Sequence, residues 1–119
     1  MFSPGLSVRE QLAQLDDVLG LNGDVQDWGI ENADSERVAE FVSFFEQHQD
    51  AQWSPHTVGE FFDLVMESAC DALSREPQFP VSVVDPFVAR ASLMVPERVT
   101  YWTAHDWPIA PHLRALGLQ

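Results

Sequence analysis

The 119 residues carry 19 carboxylates against six arginines and no lysine, a formal net charge of −13. The apolar share of 45% excludes a disordered chain, and no run approaches the ~18 apolar residues of a membrane-spanning helix. A lone cysteine, Cys70, excludes an internal disulfide framework and a multi-cysteine zinc site. So acidic a field disfavours nucleic acid and anionic membrane, whose phosphates need Lys or Arg, and attracts a basic protein or a cation.

The length predicts a single domain over residues 1–119. "MFSPGLSVREQ" has neither a basic segment nor an apolar one of the kind that opens a signal peptide, so a cytoplasmic protein is expected. The charge is uneven. Residues 1–80 hold 16 acids and three arginines, whereas residues 81–119 hold three of each. The entire excess therefore lies in the first two thirds, ahead of a neutral, proline-rich and aromatic subregion.

In chain order, Ser7 and Glu10 form an S-x-x-E capping box. Val8, Leu12, Leu15 and Leu19 then share one helix face, and Gly20 suits the left-handed stop. "NGD" at 22–24 is a turn signal. Trp28 and Ile30, in "VQDWGIENA", suit a short strand or a packed loop. Asp34 or Ser35 is expected to cap a helix reaching about His48, with Val38, Phe41, Val42 and Phe45 as its stripe and Phe44 widening it.

The next helix is the most legible: "WSPHTVGEFFDLVMESACDALSREP". Ser54 is its N-cap and Pro55 takes the first position, where the missing N–H is harmless. At about 100° per residue, Val58, Phe61, Phe62, Val65, Met66, Ala69, Ala72 and Leu73 cluster on one side. His56, Glu60, Asp63, Glu67 and Asp71 span about 80° on the other. Gly59 costs such a helix roughly 1 kcal/mol relative to Ala, which suggests close approach of another helix. Val81–Val84 suits a short extended segment. Beyond it, Pro86, Pro96 and Pro111 mark three short helices near 86–94, 96–105 and 109–116, ending at Gly117. The fold class expected is all-α: a bundle of about five to six helices around a central helix at 55–75.

No catalytic residue, metal ligand or cofactor is assigned. The carboxylates of the central helix lack the H-E-x-x-H or E-x-x-H pattern of helical metal sites. Cys70 has no cationic neighbour to make it a nucleophile and reads as a small buried hydrophobe. The four histidines are scattered, with His48 and His105 at helix C-termini. Tyr101, Trp102 and Trp107 suit either core packing or an interface. The acidic helix face remains. Like charges one turn apart cost ~0.2–0.5 kcal/mol per pair, and no base is interleaved. Either the face serves solubility alone, or it meets a basic partner.

The stretch from "ERVAEFVSFFEQHQDAQWSP" to "HTVGEFFDLVMESACDAL", through Trp53, Glu60, Phe61, Phe62, Asp63, Leu64 and Ser68, resembles the helical immunity proteins of bacterial polymorphic toxin and contact-dependent inhibition systems. The resemblance implies a small, acidic, cytoplasmic, all-α protein that binds a cognate toxin domain, frequently a basic nuclease, and blocks its active site. The partner-binding residues expected are Glu60, Asp63, Glu67, Asp71, Trp53 and His56, with Glu36 and Glu40 as further acids. Two other readings stand beside it: a regulatory or assembly subunit, and a small metal-dependent enzyme with His56 and the carboxylates as ligands.

Overall fold

The computed structural model describes residues 5–23 and 27–117. These form seven α-helices: α1 (Val8–Leu19), α2 (Trp28–Glu31), α3 (Val38–Gln47), α4 (Pro55–Arg75), α5 (Asp85–Met94), α6 (Pro96–Ala104) and α7 (Ala110–Ala115), with a 3₁₀ turn at Val81–Val84. The fold is the all-α arrangement expected, and the capping signals explain its starts. Ser7 accepts from the Glu10 N–H while Glu10 accepts from that of Ser7. Ser54 accepts from the Thr57 N–H ahead of Pro55, and α5, α6 and α7 each carry proline in the first two positions. Gly20 ends α1 at φ 68°, a conformation that a side chain would strain.

Three local expectations are corrected. Trp28–Glu31 is a helical turn, neither strand nor loop: the Asp27 N–H donates to Glu31, and Asn32 donates to the carbonyls of Trp28 and Asn22. Asp34 and Ser35 do not cap α3, which begins behind Arg37. Asp34 closes the preceding turn by accepting from the Glu36 N–H, and its own N–H donates to Ser68 on α4. Val81–Val84 is a 3₁₀ turn and not extended, because its N–H groups are satisfied locally, as in Val83 to Pro80. The "NGD" turn lies partly outside the described residues.

Central α4 is wrapped on almost every side. Phe61, Phe62, Leu64, Val65 and Met66 are fully buried, each large side chain contributing about 1.5–3 kcal/mol. Rings from three other segments meet it: Phe45 lies 5.0 Å from Phe87 and 4.9 Å from Trp53, and Trp53 lies 5.3 Å from Phe61. Polar ties fix the remaining elements. Buried Gln11 donates to Gln52 and accepts from the Ser54 N–H, joining α1 to the start of α4. Trp28 donates its indole N–H to Asp16 at 2.6 Å, joining α2 to α1. Arg114 caps the end of α6 through the Thr103 carbonyl, and His112 meets Asp85 at 2.6 Å. His48 and His105 sit at the ends of α3 and α6 as expected, against the carbonyls of Phe44 and Tyr101.

Candidate functional site

The carboxylate strip of α4 is not the open, uncompensated face that its helical periodicity suggests. α2 and α6 pack on either side of its first half. Gly29 allows the approach of α2: a Cβ there would fall 2.3 Å from the Glu60 carbonyl oxygen and 2.8 Å from the Leu64 nitrogen. From the other side, α6 delivers Arg98 and Trp102. Arg98 Nη1 donates to Asp63 Oδ2 and, at 2.9 Å, to the Gly59 carbonyl, while Nη2 lies 3.4 Å from Glu60. Trp102 donates its indole N–H to Asp63 Oδ1 at 3.0 Å. Both oxygens of Asp63 are therefore engaged. Gly59 is the point of approach: a Cβ there would lie 3.1 Å from the Arg98 guanidinium carbon. The neighbour is thus a side chain of α6 and not a helix backbone.

Burial and charge set the titration of the strip. Burial raises Asp63 above the ordinary aspartate value; the Trp102 N–H and the Arg98 charge oppose the rise, and Glu60 and Asp27 add to it. Removing an ion pair from water costs about as much as the pair returns, so the junction positions α6 more than it stabilises the fold. Glu67, one turn on, is raised by burial first and then by the charges of Asp71 and Asp63. Half-buried Glu67 and Asp71 are thus the part of the strip where negative charge accumulates. Asp27, just ahead of α2, and Glu31 at its end are exposed, and the Asp27 charge acts on Asp63.

The other two expected residues lie apart. His56 is exposed in the first turn of α4. Trp53 is only 8% exposed and belongs to the aromatic core, its indole N–H donated to the His48 carbonyl at 2.8 Å. It is not an edge of the acidic strip. Glu40 is held by Arg37 at 2.6 Å, whereas Glu36 is exposed. Of the C-terminal aromatics, Trp102 is buried, Trp107 is half-buried, and Tyr101 is 42% exposed.

Among the described residues, no group of three or more His, Cys, Asp or Glu is arranged to hold a metal ion. Cys70 is buried, and that burial pushes its thiol up to about 12, which leaves almost no thiolate at neutral pH. No helix of the described residues is long and apolar enough to cross a membrane. The chain matches no known family model, curated protein or solved structure. Arg98 is the residue that sequence reasoning missed. Its only trace was the glycine opposite it, in the middle of an otherwise strong helix.

Proposed function

We propose that the chain is a non-enzymatic, acidic protein-binding module: an immunity-type inhibitor that neutralises a basic toxin domain, such as a nuclease, by masking its active site in the bacterial cytoplasm. The observation that carries this reading is the charge left over after internal pairing. Arg37, Arg90, Arg98 and His112 pair with five carboxylates. Asp17, Asp27, Glu31, Glu36, Asp50, Glu76, Glu97 and Asp106 remain exposed on the surface, and Glu67 and Asp71 are half-buried. Such a surface opposes Lys and Arg that would otherwise hold substrate phosphates. It supplies association rate and specificity more than affinity.

The test is association with the product of the neighbouring gene. Raising salt from about 0.05 M to about 0.5 M should slow association at least tenfold, because exposed charges are screened. Glu67→Lys with Asp71→Lys should slow it further. Glu60 and Asp63 are unsuitable for this purpose because they hold Arg98. An association rate indifferent to salt and to the double charge reversal removes the reading.

A further inference from the structure

A pocket of about 360 Å³ opens between the C-terminal ends of α3 and α5, and none of the residues lining it belongs to α2, α4 or α6. Its volume lies within the range of small-molecule sites, about 300–1,000 Å³. Most of the lining is apolar. Phe45 and Trp53 are buried, Met94 is 39% exposed, and Leu93 is 85% exposed. No other large apolar side chain among the described residues is as exposed as Leu93.

One charged residue lines the pocket, and it is a cation, Arg90 of α5. The other polar residues of the lining, Gln49 and Gln52, are neutral. Arg90 Nε lies 3.4 Å from Glu46 Oε2, which also accepts from Gln49 at 2.7 Å. Glu46 Oε1 is buried, and Glu46 does not line the pocket. Glu46 thus holds Arg90 by a single long contact and leaves the fork of the guanidinium open. Neither Nη nitrogen of Arg90 has a partner among the described residues. Such a fork matches a carboxylate, which it binds through two parallel charge-assisted hydrogen bonds.

Two features oppose an anion, and both are weak at this place. Helix C-termini carry partial negative charge. Carbonyls of these two ends are already engaged, however: Phe44 by His48 Nδ1 at 2.8 Å, Phe45 by the His48 N–H and Ala91 by the Val95 N–H. The net charge is −13, but none of the acids lines the pocket, and physiological salt screens charges beyond about 8 Å.

We propose that this pocket binds a small organic acid: a carboxylate carried on an aromatic or branched aliphatic body the size of one ring. The carboxylate meets the Nη nitrogens of Arg90, and the body lies among Phe45, Trp53, Leu93 and Met94. The site is independent of the basic-partner reading, so either stands if the other fails.

Three ligands with one apolar body and different head groups test it: 4-phenylbutyrate, 4-phenylbutanamide and 4-phenylbutylamine, titrated into ¹⁵N-labelled protein at neutral pH. The acid should shift the Trp53 indole N–H and the Arg90 Nε–H in a saturable way. Its Kd should be near or below about 1 mM, as suits a ligand of about twelve heavy atoms. The amide should bind at least about tenfold more weakly, for want of the charge-assisted pair, and the amine more weakly again. Acetate, a head group without a body, should leave the Trp53 signal in place. Arg90→Gln, at a side chain 56% exposed, should keep the circular dichroism and the affinity for the amide, and bring the acid down to the level of the amide. Leu93→Ser should weaken acid and amide alike severalfold. Amide or amine binding as tightly as the acid, a preference for the acid that survives Arg90→Gln, or no saturable shift from any of the three overturns the proposal. The comparison of head groups on the unaltered protein decides the matter even if a variant fails to fold. A capped peptide ending in a free phenylalanine carboxylate that binds at least about tenfold more tightly than 4-phenylbutyrate would make this a site for protein C-termini, and overturns the assignment to a small acid.

Discussion

Arg98→Met tests whether the acidic helix is neutralised from within. Methionine keeps most of the apolar stem and removes the guanidinium, and with it the bonds to Asp63 and the Gly59 carbonyl and the loose 3.4 Å contact with Glu60. Breaking a fully buried pair costs about 3–5 kcal/mol. Here the side chains of Arg98 and Asp63 are 24% and 16% exposed, and Asp63 keeps the Trp102 N–H, so the expected loss is about 2–3 kcal/mol. Asp63→Leu should cost a similar amount, because it strands both Arg98 and the indole N–H. The double variant should recover about 1–2 kcal/mol relative to the sum of the two losses, the coupling expected of neighbours in one network. Urea unfolding followed by tryptophan fluorescence and by circular dichroism at neutral pH measures all three. The coupling should persist in about 1 M salt, since partly buried pairs are weakly screened. A coupling below about 0.3 kcal/mol, the level of independent sites, would mean that Asp63 and Arg98 act separately and that the strip is solvated after all.

Gly29→Ala should destabilise the fold by about 2 kcal/mol or more, since the new methyl meets the α4 backbone at 2.3 Å and α2 must retreat. Gly59→Ala should stay within about 1 kcal/mol of the parent, a gain in helix propensity offsetting displacement of a movable guanidinium; thermal melts of both variants check the contrast. Glu67 is raised above 4.5 in the folded protein, so the native state holds its proton more tightly than the unfolded chain does. Its contribution is full below about 4.5 and is lost as pH rises through the folded value. Glu67→Gln should therefore be more stable than the parent at pH 7, with the gap closing on acidification, as read from urea midpoints at several pH values. Cys70, moved from 9.0 to about 12, should carry about a thousandfold less thiolate at pH 8 than an unperturbed thiol. Ellman's reagent should react slowly with the native protein and fast in denaturant.

The elements with local punctuation were legible in the sequence. Ser7 with Glu10, Ser54 with Pro55, and the prolines that open α5, α6 and α7 write their helix starts into adjacent residues. Trp28–Glu31 and Val81–Val84 were not legible. Each is four residues long, too short for periodicity to speak, and contacts made elsewhere decide its conformation. The strip on α4 was read correctly as a set of residues sharing one side, and wrongly as to what that side meets. A helical wheel orders one helix against itself. It has no means of placing an arginine 35 residues further along the chain beside Asp63, or of turning Trp53 inward between Phe45 and Phe61.

The Arg98 junction also bears on the order in which the molecule assembles. By the time α4 has been made, the chain has 15 acids and three arginines, and the cation that quiets its central helix is not yet among them. The contacts that close the strip span 35 to 39 residues, among the longest-range polar links in the molecule. Helices α1 and α4 can form early from local signals, but the docking of the first two thirds stays electrostatically incomplete until α6 arrives. The last third thus acts as a keystone: neutral when counted alone, it completes a folding unit whose earlier part repels itself.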